Sequence, residues 1–490
     1  MRVEEARADY LATLVDQQGW TVMSIEEVAD MNPRVDKARI PDDLPVSFVP
    51  MPAVGAADGT IHVEETRPAG EVKKGFTAFL EGDVLFAKIT PCMENGKMAV
   101  VPALVNGYGF GSTEFHVLRP KPGMDAKYLY YYVSSQSFRR EAERHMTGAV
   151  GQRRVPTTYL KECKIPVAPL DQQKRIVAEI EKQFSRLDEA VANLKRVKAN
   201  LKRYKAAVLK AAVEGRLVET EAEIARREGR SFEAGAQLLQ RILETRRSQW
   251  QGKGRYKEPA APDTTDLPEL PEGWVWATLD QIGQEGRPII YGIIKPGPHD
   301  PNGVPYVRVT EMKDGFVDLE NLRRAVPERA AKFARATLAP GDVLISKDGT
   351  IGRVAVVPPQ LAGGNITQHV MRAPIHELMC RDYVVSAIRS DVCQKWLTGE
   401  TKGVALRGVN VEDFRRLPIP VPPYIEQERV LAEVDRRLSL LSETEAQVDA
   451  NLQRADRLRE AILQRAFSSS SSHRTSIHTK LMGDDERLGT

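Results

Sequence analysis

The chain contains itself twice. Gly19-Trp20 recurs as Gly273-Trp274, Thr147 as Thr401, Arg153 as Arg407 and Ile165-Pro166-Val167 as Ile419-Pro420-Val421, all at an offset of 254 residues. From Ile165 to Glu181, eight of seventeen residues are identical to their counterparts in Ile419 to Asp435. A fold that occurs twice in one covalent chain acts as a pseudo-dimer, so its target is expected to have two similar but unequal halves. Asymmetric duplex DNA is such a target. The offset grows to 259 at Gly82-Asp83-Val84-Leu85-Phe86-Ala87-Lys88 and Gly341-Asp342-Val343-Leu344-Ile345-Ser346-Lys347, and returns to 254 by Thr113 and Thr367. The ends of the repeats stay in register while the middles diverge, as expected if the middles read different targets on a shared frame.

Each repeat reads as a globular part of short strands followed by a long helix. Trp20 to Met23 and Trp274 to Ala277 look like first strands, and the two Gly-Asp-Val runs read as a turn feeding a buried strand. The helices carry apolar residues spaced by seven: Ile180, Leu187, Leu194, Leu201 and Val208, with Val177, Phe184 and Val191 at the second seam position. The second copy supplies Val434, Leu441, Val448, Ala455 and Ile462, beside Leu431, Leu438 and Leu452. Pro166 and Pro169, and Pro420, Pro422 and Pro423, mark the helix starts, because proline is tolerated before or within a first turn only. Asp171 to Gly215 would extend about 67 Å, longer than a usual core helix, so the two helices are expected to pair with each other. Glu219 to Trp250 looks helical, Gln251 to Glu272 is a polar, proline-bearing connector, and the serine-rich tail after Phe467 is expected to be disordered.

Composition bounds the alternatives. A chain of 490 residues is too long for one core and predicts several domains. No apolar run approaches a membrane span. Glu4, Glu5 and Asp9 stand where a secretion signal would be basic and then apolar, so a cytoplasmic protein is expected. Cys92, Cys163, Cys380 and Cys393 lack paired spacing, and no zinc pattern is present. A net charge of +3 requires any basic footprint to be local.

Three motifs suggest catalysis and each fails on chemistry. Val421-Pro422-Pro423-Tyr424 resembles the Asn/Asp-Pro-Pro-Tyr loop of amino-methyltransferases, whose first residue accepts a hydrogen bond, which valine does not. Gly107-Tyr108-Gly109-Phe110-Gly111 resembles a nucleotide-binding glycine loop but lacks a clear preceding strand and a following helix, so a strand-connecting turn is preferred. Asp83 with Lys88, and Asp342 with Lys347, suggest a metal-dependent nuclease, yet Phe86 and Ile345 stand where its second acid belongs.

Along nearly its whole length, Gly19 to Phe467, the sequence resembles the specificity subunit of type I restriction-modification systems. The resemblance is carried by Gly82 to Lys97, Gly111-Ser112-Thr113-Glu114-Phe115, the Ile-Pro-Val-x-Pro entrance to each helix, and Ala206 to Leu217 at the first helix end. It implies an α+β fold: two mixed α/β target recognition domains separated by two long antiparallel coiled-coil helices in a pseudo-twofold repeat. The segments expected are domain 1 at 1–169, spacer helix 1 at 170–217, a helical segment and linker at 218–262, domain 2 at 263–423, spacer helix 2 at 424–467 and the tail at 468–490. It further implies a non-catalytic subunit that reads a bipartite DNA site and docks two methyltransferase subunits and, through them, restriction subunits. S-adenosylmethionine, ATP and Mg would belong to those partners, and none to this chain. The second copy departs from the pattern where serines follow Ala466-Phe467, which puts its docking edge in question. A coiled-coil adaptor that binds proteins only is the alternative.

Base reading needs paired donors or acceptors on loops, and phosphate contact needs cations. The candidates are Lys88, Glu94, Asn95, Lys97, Gln152, Arg153 and Arg154 in the first copy and Lys347, Arg353, Gln368, Lys402 and Arg407 in the second, against the plain reading of solvated surface charges. Arg153 and Arg407 share the repeat register, which favours a phosphate or framework role. His116 and His369 lie in similar predicted strands as packed side chains or base contacts. Ala190 to Lys210 holds seven basic residues and no acid, either a solvated face or one that steers DNA or an acidic partner.

Overall fold

A computed structural model describes residues 19–63, 65–149, 151–252, 254–313, 315–399 and 409–467. Glu4, Glu5, Asp9, Thr401, Lys402, Arg407 and the tail from Ser468 lie outside them. The chain divides into two compact units, one formed by Met1–Lys195 with Asp449–Thr490 and the other by Arg196–Val448. The two long helices are Leu170–Val213 and Tyr424–Phe467, 44 residues each, and every unit therefore takes a segment from both.

In the first unit, strands Thr21–Ser24 and Lys164–Val167 pair antiparallel, bringing the start and end of the globular part together. An antiparallel sheet follows the order Ala29–Met31, Phe115–Pro120, Val84–Ala87, Met98–Val100. All four residues of Val84–Ala87 are buried, as the continuous apolar run predicts. A second sheet is ordered Glu65–Pro68, Pro45–Val49, Gly109–Gly111, Thr77–Phe79, its middle pair parallel. Gly109–Gly111 is thus an inner strand where a turn was expected. A Cβ on Gly109 would lie 2.2 Å from the Phe79 ring, and one on Gly111 2.3 Å from the Val49 carbonyl, so close packing explains these glycines. Helices Ala126–Ser134 and Gln136–Arg144 cover the first sheet, and one core joins Phe86, Tyr128 and Phe138 to Val177, Ile180 and Phe184 of the first long helix and to Ile462, Leu463, Ala466 and Phe467 of the second.

The second unit repeats this plan. Val275–Thr278 pairs antiparallel with Pro418–Val421, and a sheet runs Ile290–Tyr291, Val370–Ala373, Val343–Ser346, Val354–Val356. A three-stranded sheet and the hairpin Met312–Lys313/Phe316–Val317 complete the strands. Helices Arg381–Ile388 and Asp391–Thr398 share a core with Val208, Leu209, Ala212 and Val213 of the first long helix and Val430 and Val434 of the second. In each unit the start of one long helix clusters with the end of the other, so the paired segments run antiparallel. The segment expected to be helical from Glu219 to Trp250 forms Glu221–Glu228, ended by Gly229 at φ +66°, and Gly235–Gln249. The latter packs Leu238, Leu239 and Ile242 on the second core, and its Gly235 N–H donates to Gly273 O at 2.7 Å.

The residues that recur hold the same joints. Trp20 Nε1 donates to Gln172 Oε1 at 2.9 Å, and Trp274 Nε1 to Glu426 Oε1 at 3.0 Å. Gln173 accepts from the Asp125 amide and donates to Ala168 O; Gln427 accepts from Cys380 and donates to Pro422 O. Tyr128 and Tyr383 donate their hydroxyls to Pro166 O and Pro420 O. The shared frame is therefore a set of buried and half-buried hydrogen bonds tying each helix entrance to its globular part, the buried ones costly to leave unpaired.

Of the heptad residues, Val177, Ile180, Phe184, Val208, Val434, Val448, Ala455 and Ile462 are buried, and Leu187, Val191, Leu194, Leu201, Leu431, Leu438, Leu441 and Leu452 are half-buried. In the first unit Arg459 lies 4.3 Å over the Phe184 ring and pairs with Asp188.

Candidate nucleic-acid interface

Among the described residues, the candidates gather at the end of each central strand. Lys88 follows strand Val84–Ala87; its amide donates to Glu114 O at 2.9 Å and its carbonyl accepts from Val155 at 2.9 Å, while Thr90 N–H donates to Arg153 O at 3.0 Å. The segments 88–97, 112–114 and 147–155 therefore meet along one edge. In the second unit Lys347 N–H donates to His369 O at 2.9 Å and Lys347 O accepts from Val409 at 3.1 Å. The same three-way junction is built twice.

The side chains at the first junction largely satisfy one another. Arg154 grips Glu114 with two hydrogen bonds of 2.9 and 2.8 Å, which hold that carboxyl below its usual range against the opposing effect of burial. Arg153 sits between Glu94 at 3.7 Å and Glu143 at 3.6 Å. Lys97 donates to the Met51 and Val54 carbonyls at 3.1 and 2.9 Å, which closes a neighbouring loop. Lys88 is half-buried, Asn95 and Gln152 are exposed, and Glu94 accepts from Thr90 at 3.0 Å.

The second junction is arranged differently. Lys347 and His369 flank Asp348 at 3.0 and 2.8 Å; burial opposes ionisation of that carboxyl, but these hydrogen bonds outweigh it and lower its pKa. Gln368 accepts from the Lys295 amide at 3.2 Å, and Arg353 is exposed at the far end of the 347–353 loop. The two histidines part company. His116 is buried in its strand, 2.9 Å from Val155 O, and burial lowers its pKa, so it is a packed residue; His369 is exposed just before strand Val370–Ala373, outside the strand expected for it.

The two carboxylates of the nuclease-like motif hold the frame. Asp83 is buried, accepts from Leu80 N–H at 2.7 Å and pairs with Arg119 at 2.7 and 2.8 Å. Asp342 accepts from Ala339 N–H at 2.8 Å and pairs with Arg287 at 2.8 and 2.7 Å. Among the described residues no group of His, Cys, Asp and Glu is placed to hold a metal, and no helix is long and apolar enough to cross a membrane. Sequence reasoning passed over Lys313 and Arg389, which lie beside Arg353 and carry no local motif.

Residues 17–203 and 271–453 match the type I restriction modification DNA specificity domain. The chain belongs to that family. The match leaves out 204–270, so Ala206 to Leu217 stands beyond it. This family member is 25% identical over 501 residues to the type I restriction enzyme EcoEI specificity subunit of Escherichia coli, covering 91% of this chain and 83% of that protein. To the EcoAI specificity subunit of Escherichia coli it is 30% identical over 309 residues, covering 54% and 51%. Among solved structures, one described as the structural basis underlying complex assembly and conformational transition of the type I R-M system matches at TM-score 0.67 and 19% identity, covering 92% of this chain and 98% of that one. The HsdS subunit from Thermoanaerobacter tengcongensis matches at 0.54 and 19% identity, covering 92% and 96%. These likenesses establish the fold.

Proposed function

We propose that this chain is the DNA-recognition subunit of a type I restriction-modification complex. Residues 1–169 and 263–423 act as two target recognition domains, each reading one half of a bipartite asymmetric site, and the helices at 170–217 and 424–467 form the spacer. The chain makes and breaks no bonds itself. It docks two methyltransferase subunits and, through them, restriction subunits; S-adenosylmethionine, ATP and Mg are theirs. The observation that carries this reading is the junction built twice on one frame with unlike side chains: Arg154–Glu114 and Arg153 in one copy, Lys347–Asp348–His369 in the other. A common frame fixes where the duplex lies, and unlike edges read unlike bases. The adaptor reading, which needs no such edge, explains none of this.

Long-read mapping of methylated adenines in host DNA tests it. Disrupting the gene should erase one bipartite motif, and exchanging Trp20 to Tyr159 for a relative's domain should change one half only. A motif that survives disruption, or two changed halves, would refute the reading. Mass measurement of the assembled complex checks the two methyltransferases per chain.

A further inference from the structure

The two units differ where the first long helix passes the second junction. An open pocket of about 580 Å³ lies there, lined by Lys202, Lys205, Lys313, Arg353 and Arg389 and by no carboxylate. Lys313 is paired with Asp318 at 2.7 Å, whereas among the described residues Lys202, Lys205, Arg353 and Arg389 have no ion-pair partner. Three elements build it. Lys202, Lys205, Ala206 and Leu209 fall on one helix face. Arg353 ends the loop that begins at Lys347, and Gln394 fixes that loop by donating to Gly352 O at 3.0 Å. Arg389 closes helix Arg381–Ile388.

The first unit is furnished otherwise. One repeat later, the positions of Lys202, Lys205 and Ala206 are held by Asp456, Arg459 and Glu460. Glu460 accepts the amides of Gln136 and Ser137 at 3.0 and 3.3 Å, and Arg459 is spent on Phe184 and Asp188. Lys97, which precedes its strand as Arg353 does, donates to the Met51 and Val54 carbonyls at 3.1 and 2.9 Å, whereas Arg353 reaches the Val309 and Met312 carbonyls only at 3.4 and 3.5 Å. Among the described residues, the repeat thus places acids and satisfied cations in one unit and four cations without an ion pair in the other.

We propose that this pocket seats backbone phosphates of duplex DNA flanking the half-site read by the second unit. It continues from the 347–353 loop, its cations come from both guanidinium and ammonium groups, and no aromatic ring lines it to stack a free base or nucleotide. The inference rests on the recognition reading above, and one experiment separates the two. The full chain, assembled with its methyltransferase partners, is titrated with duplexes carrying or lacking the mapped site while salt is varied. Wild-type complex should prefer the site; absence of any preference would sink the recognition reading itself. The variant Lys202→Gln/Lys205→Gln/Arg389→Gln should bind both duplexes more weakly and lower the log–log salt slope by about 0.9 for each phosphate no longer neutralised, or about eightfold in affinity per phosphate near 0.1 M salt. Ala206→Glu, which imports the first unit's acid, should act in the same direction. Unchanged melting temperatures rule out unfolding as the cause. An unaltered salt slope in the triple variant, with wild-type preference intact, overturns the pocket.

Discussion

Phe467 is the last described residue of the second long helix, yet it is buried in the first unit, its ring edge-on to Tyr128 at 5.0 Å and Tyr132 at 5.3 Å. Truncating a buried phenylalanine costs about 3–5 kcal/mol, and edge-to-face pairing accounts for about 0.5–1.5 kcal/mol of that per ring pair. A helix end relaxes more readily than a helix middle, so Phe467→Ala should cost about 3 kcal/mol, or on the order of a hundredfold in the opening equilibrium of the first unit. For a unit of this size that lowers melting by about 6–12 °C. Hydrogen exchange read by mass spectrometry localises the effect. Peptides covering Ala126–Ser134 should lose protection, those covering Arg381–Ile388 should not, and Gln464→Ala, exposed one turn earlier, should change neither. Equal loss in both helices, or full protection at Ala126–Ser134, would refute the argument that the end of the second long helix completes the first core.

Three further outcomes are expected. Asp83→Ala removes the Arg119 pair and the Leu80 cap, and because Arg119 is partly exposed and regains water, the cost in denaturant melts should be about 2–3 kcal/mol, with no dependence on added divalent metal. Burial depresses the folded-state pKa of His116 below the unfolded value of about 6.5, so the stability it confers is present above that pH and lost as pH falls through the lower folded value; His116→Gln should flatten the melting-temperature profile of the first unit between pH 7 and 5, and an equally steep profile would remove His116 as the cause. Gly109→Ala drives a methyl into Phe79 and should cost at least about 1–3 kcal/mol in denaturant melts, part of which Phe79→Leu restores when the two are combined.

The long helices and the strands after each Gly-Asp-Val turn were legible because their signals are local: seven-residue spacing, flanking prolines and a buried apolar run. Gly109–Gly111 was misread because its glycines answer to Phe79 and Val49, some 30 to 60 residues away, and not to their neighbours. His116 and His369 looked alike in sequence, and what separates them is the Val155 carbonyl beside one and open solvent around the other. At the candidate interface, residue type located the junctions but did not reveal which charges were already taken. Arg154 and Lys97 find partners 40 and more residues away, while Lys202, Lys205 and Arg389, left within a run of cations or passed over, come together only when helix, loop and hairpin fold against one another.

The second unit is one uninterrupted stretch, while the first is split around it. On a ribosome adding about 5–20 residues per second, the stretch from Arg196 to Val448 takes on the order of ten to fifty seconds to appear. Throughout that interval the first half-core waits without Ile462, Leu463, Ala466 and Phe467. The part translated first is therefore finished last. A premature stop a few codons before Phe467 would strike the amino-terminal half of the molecule and leave the continuous inner unit with all of its own chain.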